Sequence, residues 1–297
     1  LEFYGLPQEF SVLPIIESAL NPRAVSRAGA TGIWQFMYGT ARMYNLTINS
    51  YVDERRDPVA SSHAAARFIR DLYAIYNDWT LVIAAYNCGP GNVNKAIRRA
   101  GGKRDYWDIY YFLPRETRGY VPAFIAASYF LEYHQEHNLK AIPITLPLTT
   151  DTIMISGMLH LQQVSEVLDI PLNTLRDLNP QYRLDIIPAT SKQYSLTLPI
   201  ATVGQFIDRE AEIFAYKDSV FFNPNNVVNP SRMASTNHSI PPGSTRVVYR
   251  VKEGDVLGTI AQRHNVTVAQ VRAWNNIRAV SYTHLRAHET VLDLVCR

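Results

Sequence analysis

The sequence predicts an α+β multidomain chain, with a mainly α-helical N-terminal domain followed by small βααβ modules. Three observations predict it. Residues 1–140 place apolar side chains at helical spacing, interrupted by Asn-Pro, Asn-Asp and Gly-Pro-Gly signals. After Ile142-Pro143 the pattern changes to strand, helix, helix, strand over 151–199. The same order starts again at Val247, beyond a stretch rich in Asn, Pro and Ser over 214–245.

The helical elements follow in order. Pro7 suits a first turn, and Phe10, Leu13 and Glu17 then share one face. Pro14 should kink this helix, and Asn21-Pro22 should end it. Asp57 is an N-cap with Pro58 at the first helical position, and Ala64, Phe68, Leu72 and Ile75 form the apolar stripe that follows. Asn77-Asp78 breaks that helix. Trp79 to Tyr86 begins another, closed by the turn Gly89-Pro90-Gly91, and a last helix is expected from about Pro122 to His134. In the second region DTIMIS and YSLTLP read as strands, with LHLQQVSEVLDI and PLNTLRDLNPQ as helices between them. A short helix near 202–213 precedes the linker-like composition. From 247, Val247–Val251 reads as a strand, Asp255 caps a helix bearing Val256, Ile260 and Ala261, and Thr267 caps one bearing Val268, Val271 and Trp274.

Composition sets the bounds. A chain of 297 residues with 47% hydrophobic and 19% charged residues can build two or three cores. The net charge of +3 is too small, and basic runs too absent, to indicate nucleic acid. Two cysteines, Cys88 and Cys296, make neither a disulfide framework nor a metal site, so no metal and no cofactor is expected. No stretch reaches the roughly 18 apolar residues that span a bilayer. The chain opens on Leu1 and enters directly into a helical pattern, so it reads as a fragment, and the lack of a targeting segment says nothing about export.

The chemistry points to residues 17–37, ESALNPRAVSRAGATGIWQFM. Glu17 stands alone at the end of an apolar helix, beside Leu13, Ile15 and Ile16. Dry surroundings raise a carboxyl's pKa and keep it protonated near neutrality, the state a general acid needs. The next acidic residue is Asp53. An isolated glutamate is ordinarily a surface residue; the neighbouring motifs argue otherwise. They are the Trp34-Gln35-Phe36-Met37 cluster, AAYNCGPGNV at 84–93, and DYWDIYYFLPRETRGYVP at 105–122.

In this order these segments resemble the lytic transglycosylases of the lysozyme superfamily, which cleave bacterial peptidoglycan. The similarity is greatest to the membrane-bound D type, which carries LysM repeats after its catalytic domain. The resemblance implies a lysozyme-like fold over 1–140, a divergent LysM-like module over 145–200, a linker with a short helix over 201–245, and a LysM module over 246–278. It implies that Glu17 serves first as acid and then as base. No second carboxylate is required, since the muramic acid's own 6-hydroxyl attacks and leaves a 1,6-anhydro product. It implies substrate contacts from Ser26, Gln35, Met37, Tyr86, Asn87, Glu116 and Tyr120, with the Tyr86 hydroxyl near the acid. Glu116 and Arg118 are also spaced to form a structural pair. In the later module Gly254, Asp255, Asn275 and Asn276 occupy the sugar-contacting turns.

Departures from the family pattern are Tyr38 in place of a proline, Cys88 in place of a small residue, and Ser156-Gly157-Met158 where the first LysM turn usually has Gly-Asp. The last segment, 279–297, lacks a LysM ending and resembles translated sequencing-adapter read-through. It is expected to be non-native, leaving the second module without its closing strand and Val251 on an unpaired edge. The implied partner is peptidoglycan, met by a monomer in the periplasm or at the outer membrane of a bacterium, with no nucleic acid and no membrane contact except through a possible missing lipid anchor. The alternatives are a goose-type-like hydrolysing muramidase and a non-catalytic wall-binding protein.

Overall fold

A computed structural model describes residues 1–142, 146–222, 245–250, 257–264, 266, 267, 270, 271 and 291–296. They fall into two compact units, Leu1–Tyr216 and Lys217–Arg297.

The first unit opens with two short 3-10 turns, Glu2–Tyr4 and Gln8–Val12, the latter entered from Pro7, and continues as α1 (Leu13–Ser18). Pro14 lies in the first turn of α1, so it starts a new helix instead of kinking a longer one; a residue without an N–H is tolerated where no intrahelical donor is needed. The helix ends at Ala19, in the left-handed region at φ +50°, before the expected Asn21-Pro22. After α2 (Tyr38–Met43), the Asp57 side chain caps α3 (Pro58–Tyr76) by accepting from the amides of Val59 at 2.8 Å and Ala60 at 3.0 Å. Asp78 likewise caps α4 (Trp79–Cys88).

Residues Leu81 to Ala85 of α4 are buried in an unbroken run, and this helix forms the centre of the domain. It packs against α3 and against α5 (Pro90–Arg99), α6 (Tyr106–Ile109), α7 (Arg115–Arg118) and α8 (Tyr120–Glu132). Fully buried side chains such as Leu13, Ile69, Leu81 and Ile109 each contribute about 1.5–3 kcal/mol of transfer free energy. α1 lies against α8, which brings the end of one motif to the start of another.

A second core belongs to the module that follows. Here β1 (Thr150–Ile155), β2 (Met158–His160), α9 (Leu161–Leu168), α10 (Leu172–Leu178), β3 (Ile186–Pro188) and β4 (Tyr194–Pro199) keep the expected strand-helix-helix-strand order, with a short extra ladder between β2 and β3. β1 and β4 are antiparallel, from Thr150 opposite Pro199 to Ile155 opposite Tyr194. The expected linker over 201–245 does not begin at 201. Residues up to 215 form α11 (Ile200–Asp208) and α12 (Glu210–Ala215), whose Phe206 and Ile213 are buried in this core. Apolar side chains at helical spacing dock these helices, and Gln163 fixes the end of the last one by donating to the carbonyls of Phe214 (3.1 Å) and Tyr216 (2.9 Å).

The two cores of this unit meet at residues 49–53. Val52, fully buried, packs in the second core and bridges to Tyr182. The Asp53 amide donates to the Gln181 carbonyl at 2.9 Å, and the Arg183 amide donates to the Tyr51 carbonyl at 2.7 Å.

The second unit contains α13 (Asp218–Phe221), β5 (Thr245–Arg250), α14 (Leu257–Arg263) and β6 (Val291–Cys296). Thr267 and Gln270 form a reciprocal cap, Gln270 N–H to Thr267 Oγ1 at 3.2 Å and Thr267 N–H to Gln270 Oε1 at 2.8 Å. β6 runs antiparallel to β5, from Thr245 opposite Cys296 to Arg250 opposite Val291, while Val251, expected on an unpaired edge, lies outside the described residues. The terminal segment read as foreign to the module thus supplies a strand, and Val291, Leu292, Leu294 and Val295 give it the β-propensity to do so. Among the described residues no helix is long and apolar enough to cross a membrane.

Candidate active site

A cavity of about 750 Å³ opens on the helical domain, lined by Glu17 and by parts of the 26–44 segment, α3, the α4–α5 turn and α7. The floor is built by sequence-local means. α1 ends at Ala19, so Glu17 occupies its last turn. The chain then loops through 24–37, with Val25 bridged to Thr31 and Thr31 to Phe36.

Gly32, at φ +86°, lets this loop press onto the backbone at Arg55: a Cβ at this position would stand 1.7 Å from the Arg55 carbonyl oxygen. The Arg55 side chain grips the same loop from below. Its Nη1 donates to the carbonyls of Gly29 at 3.1 Å and Phe36 at 3.3 Å, while Nε and Nη2 hold both oxygens of Asp53 at 2.8 and 2.7 Å. Both side chains are buried, 5% and 4% exposed. A buried, bidentate pair with every strong direction occupied is a fixed structural part. Asp53 is therefore committed to Arg55 and is not among the residues lining the cavity. Sequence spacing carried no signal for this brace.

Glu17 is half-buried. Burial pushes its carboxyl above the ordinary carboxylate range, and the Tyr120 O–H, which donates to Oε1, opposes this in part. The Tyr120 hydroxyl is itself raised by burial and by the nearby Glu17 charge. Tyr86, expected near the acid, lines the same cavity as Glu17; its hydroxyl donates to the Trp34 carbonyl at 2.7 Å, and burial, with a smaller effect of the Glu17 charge, raises its pKa well above the usual phenol range. Tyr86 thus ties α4 to the Trp34-Phe36 strip, and Tyr120 is the tyrosine bonded to Glu17.

The structure gathers Glu17, Ser26, Gln35, Met37, Tyr86, Asn87 and Glu116 around one cavity although they span about a hundred positions; Tyr120 meets Glu17 beside it. Gln35 adopts φ +47° and donates to the carbonyls of Gly32 at 2.8 Å and Ala24 at 3.3 Å, so its amide is held in place. Ser26 Oγ accepts from the Ala30 amide at 3.0 Å, and Asn87 Oδ1 accepts from Thr117 Oγ1 at 2.9 Å. Met37 is 47% exposed. Glu116 is exposed on the rim and is not paired with Arg118, whose guanidinium donates instead to the carbonyls of Leu113 and Tyr111. Trp34 is a core residue, donating to Ser62 Oγ at 2.8 Å. Gly254, Asp255, Asn275 and Asn276 lie outside the described residues. Among the described residues no group of three or more His, Cys, Asp or Glu side chains is placed to hold a metal ion.

This arrangement offers a half-buried carboxyl with a raised pKa, bonded by a phenol, at the wall of a cavity lined by polar and aromatic side chains. Residues 2–109 match the family model of the transglycosylase SLT domain, residues 149–215 that of the lytic transglycosylase MltD LysM-like domain, and residues 249–287 that of the LysM domain. The chain is 32% identical over 283 residues to the membrane-bound lytic murein transglycosylase D of Escherichia coli (strain K12), covering 92% of this chain and 58% of that protein. It therefore spans somewhat over half the length of that relative. It is 30% identical over 135 residues to the soluble lytic murein transglycosylase of the same organism, covering 43% of this chain and 21% of the relative. The crystal structure of the 70 kDa soluble lytic transglycosylase of Escherichia coli is similar over 44% of this chain and 22% of its own, with a TM-score of 0.37 and 28% identity.

Proposed function

We propose, on the premise that this chain carries a transglycosylase SLT domain ahead of LysM-like modules, that it is a peptidoglycan lytic transglycosylase acting on the MurNAc-β-1,4-GlcNAc bond. Glu17 gives its proton to the leaving GlcNAc oxygen as the bond to MurNAc C1 breaks. Positive charge develops on the MurNAc ring, where the substrate's own N-acetyl oxygen helps to stabilise it. The Glu17 carboxylate then takes the proton of the C6 hydroxyl while that oxygen bonds to C1. The product is 1,6-anhydro-MurNAc, Glu17 ends as it began, and no water is consumed.

The observation that carries this reading is the state of Glu17: a carboxyl held above its ordinary range by burial, with a tyrosine hydroxyl on one oxygen. Asp53, the acidic residue that follows it in the chain, is engaged by Arg55. In this proposal Ser26, Gln35, Met37, Tyr86, Asn87 and Glu116 form the sugar-binding wall and Tyr120 orients the acid. The LysM-like modules tether the enzyme to an insoluble polymer and raise its effective concentration, with Gly254, Asp255, Asn275 and Asn276 as sugar contacts. The chain acts as a monomer in the periplasm or at the outer membrane of a bacterium, on peptidoglycan and not on nucleic acid.

Glu116 favours one second reading, in which it activates water and the enzyme hydrolyses the bond. Mass spectrometry of digested peptidoglycan separates the two. Anhydro-ended fragments are expected; reducing ends alone would replace the transglycosylase by a hydrolysing muramidase, and no Glu17-dependent fragments would end the enzymatic reading.

A further inference from the structure

The last turn of α4 joins two walls of the cavity through consecutive residues. Tyr86 donates to the Trp34 carbonyl on one side, and on the other Asn87 Oδ1 accepts from Thr117 Oγ1 of α7 at 2.9 Å. Asn87 is exposed and lines the cavity, whereas Thr117 is 1% exposed and does not line it. A buried hydroxyl thus stands behind a side chain that faces the cavity. Cys88 meets the same hydroxyl, which partly offsets the upward push of burial on its thiol.

The Thr117 bond decides which end of the amide the cavity meets. A carboxamide carries an acceptor oxygen and a donor nitrogen on arms of nearly equal shape, and a half-turn about χ2 exchanges them. Here the Thr117 proton goes to Oδ1. Among the described residues Nδ2 has no hydrogen-bond partner, so its two N–H groups are the end left to the cavity. A glycan presents acceptors for them along its length, in its hydroxyl and acetamide oxygens. Fastening α7 does not need this bond. Tyr106, fully buried, donates to the Arg118 carbonyl at 2.7 Å, and the Arg118 guanidinium donates to the Leu113 and Tyr111 carbonyls at 3.1 and 2.8 Å.

We propose that Thr117 is a positioning residue for the glycan: its hydroxyl locks the Asn87 amide with the N–H arm toward the cavity, where it binds a sugar oxygen. This rests on the lytic transglycosylase reading of Glu17 and adds a residue that acts from behind the binding wall.

The test uses the full chain with Thr117→Val, Thr117→Ser, Asn87→Asp, Asn87→Ala and the double variant N87A/T117V, assayed on soluble glycan fragments. Thr117→Val keeps the shape and removes the hydroxyl. KM should rise about three- to tenfold, the worth of one neutral hydrogen bond, while kcat stays near the parent value because uniform binding alone is lost. Thr117→Ser should restore KM. Asn87→Asp still accepts from Thr117 but turns an acceptor to the cavity, so its KM should rise as far as that of Asn87→Ala. N87A/T117V should be no worse than Asn87→Ala. A Thr117→Val variant with lowered Tm and parental KM would make the hydroxyl a fastener only. Parental KM in Asn87→Asp would mean that the cavity meets the oxygen. A Thr117→Val loss that persists undiminished without Asn87 would mean that the hydroxyl acts elsewhere. Each of these overturns the proposal. Calorimetric binding of an uncut glycan tetrasaccharide in the Glu17→Gln background repeats the comparison without turnover, and the same three- to tenfold weakening by Thr117→Val is expected. Turnover that survives Glu17→Gln would sink the reading of Glu17, while the calorimetric difference would still report on Thr117.

Discussion

The Tyr120 hydroxyl donates a hydrogen bond to Glu17 Oε1 across 103 positions of sequence, joining the first turn of α8 to the last turn of α1. This bond favours the charged carboxylate, while burial favours the neutral acid and is the larger effect. Tyr120→Phe should therefore raise the Glu17 pKa further. The alkaline limb of the pH–activity profile should move to higher pH, and kcat should fall because the acid is less well oriented. Pre-steady-state or steady-state rates across pH measure this; an unmoved limb would mean that the hydroxyl does not act through Glu17.

Glu17→Gln keeps the shape of the side chain and removes the transferable proton. Turnover of peptidoglycan should drop by about 10²–10⁴-fold or more, with binding to sacculi retained. The same variant has a stability signature. The folded-state pKa of Glu17 is raised, so between its unfolded and folded pKa values the native state holds more protons than the unfolded state, and stability falls as pH rises through that window. Replacing the glutamate should accordingly raise Tm relative to the parent at neutral pH and lose this advantage at pH values below the unfolded carboxyl pKa. A constant Tm difference at all pH values would contradict the shift.

How much of this was legible in the chain depends on how local the cause is. Glu17 could be read because its apolar context, Leu13 to Ile16, is contiguous with it, and the Asp57-Pro58 helix start because a cap and its helix are adjacent. The convergence of Ser26, Gln35, Tyr86 and Glu116 on one cavity was expected from motif order alone. Which tyrosine would reach the acid was not, since Tyr86 and Tyr120 differ only in where α4 and α8 place their hydroxyls. The Asp53–Arg55 pair was invisible for a related reason: it is a short Asp-x-Arg spacing like many surface pairs, and only its burial under the 29–36 loop gives it meaning. The short helix expected near 202–213 corresponds to α11 and α12, but their docking into the preceding module was not legible, because it depends on the tertiary placement of Phe206 and Ile213.

The brace under the cleft makes a strong prediction. Arg55→Met leaves Asp53 buried without its guanidinium partner and removes the Arg55 bonds to the Gly29 and Phe36 carbonyls, which keep only their bonds from Thr31. A loss of about 3–5 kcal/mol in unfolding free energy is expected, with a rise in KM from a loosened Gln35. The double variant D53L/R55M, which removes both charges, should recover part of the stability but not the KM, because the loop still lacks its two bonds from Arg55. Denaturant unfolding and steady-state kinetics separate these two effects.

Gly32→Ala attacks the same contact from the loop side. The added methyl would sit 1.7 Å from the Arg55 carbonyl oxygen and would carry a side chain at φ +86°. Backbone strain and overpacking together should cost at least about 3 kcal/mol, enough to unfold a marginal domain. Gly91→Ala, where nothing lies within 4 Å of the added atom, is the matched control and should be near neutral. Comparable thermal melts for the two variants would show that the loop can lift away from Arg55 without consequence.

The module over 149–215 reaches the same brace through the backbone. Val52 is buried among its side chains, and the Asp53 amide is satisfied by the Gln181 carbonyl at 2.9 Å. A chain ending at 140 would expose Val52, a loss of about 1.5–3 kcal/mol at most, and leave the residue that anchors Arg55 without its acceptor. A chain ending at 216 retains both contacts. The shorter fragment should therefore melt at lower temperature than the longer one and cleave soluble glycan fragments with a higher KM, although neither carries the 246–278 segment. If the two fragments match in Tm and in KM, the module is a passive neighbour of the catalytic domain; if they differ as expected, it braces the cleft wall through Asp53 and Arg55 whether or not it touches sugar.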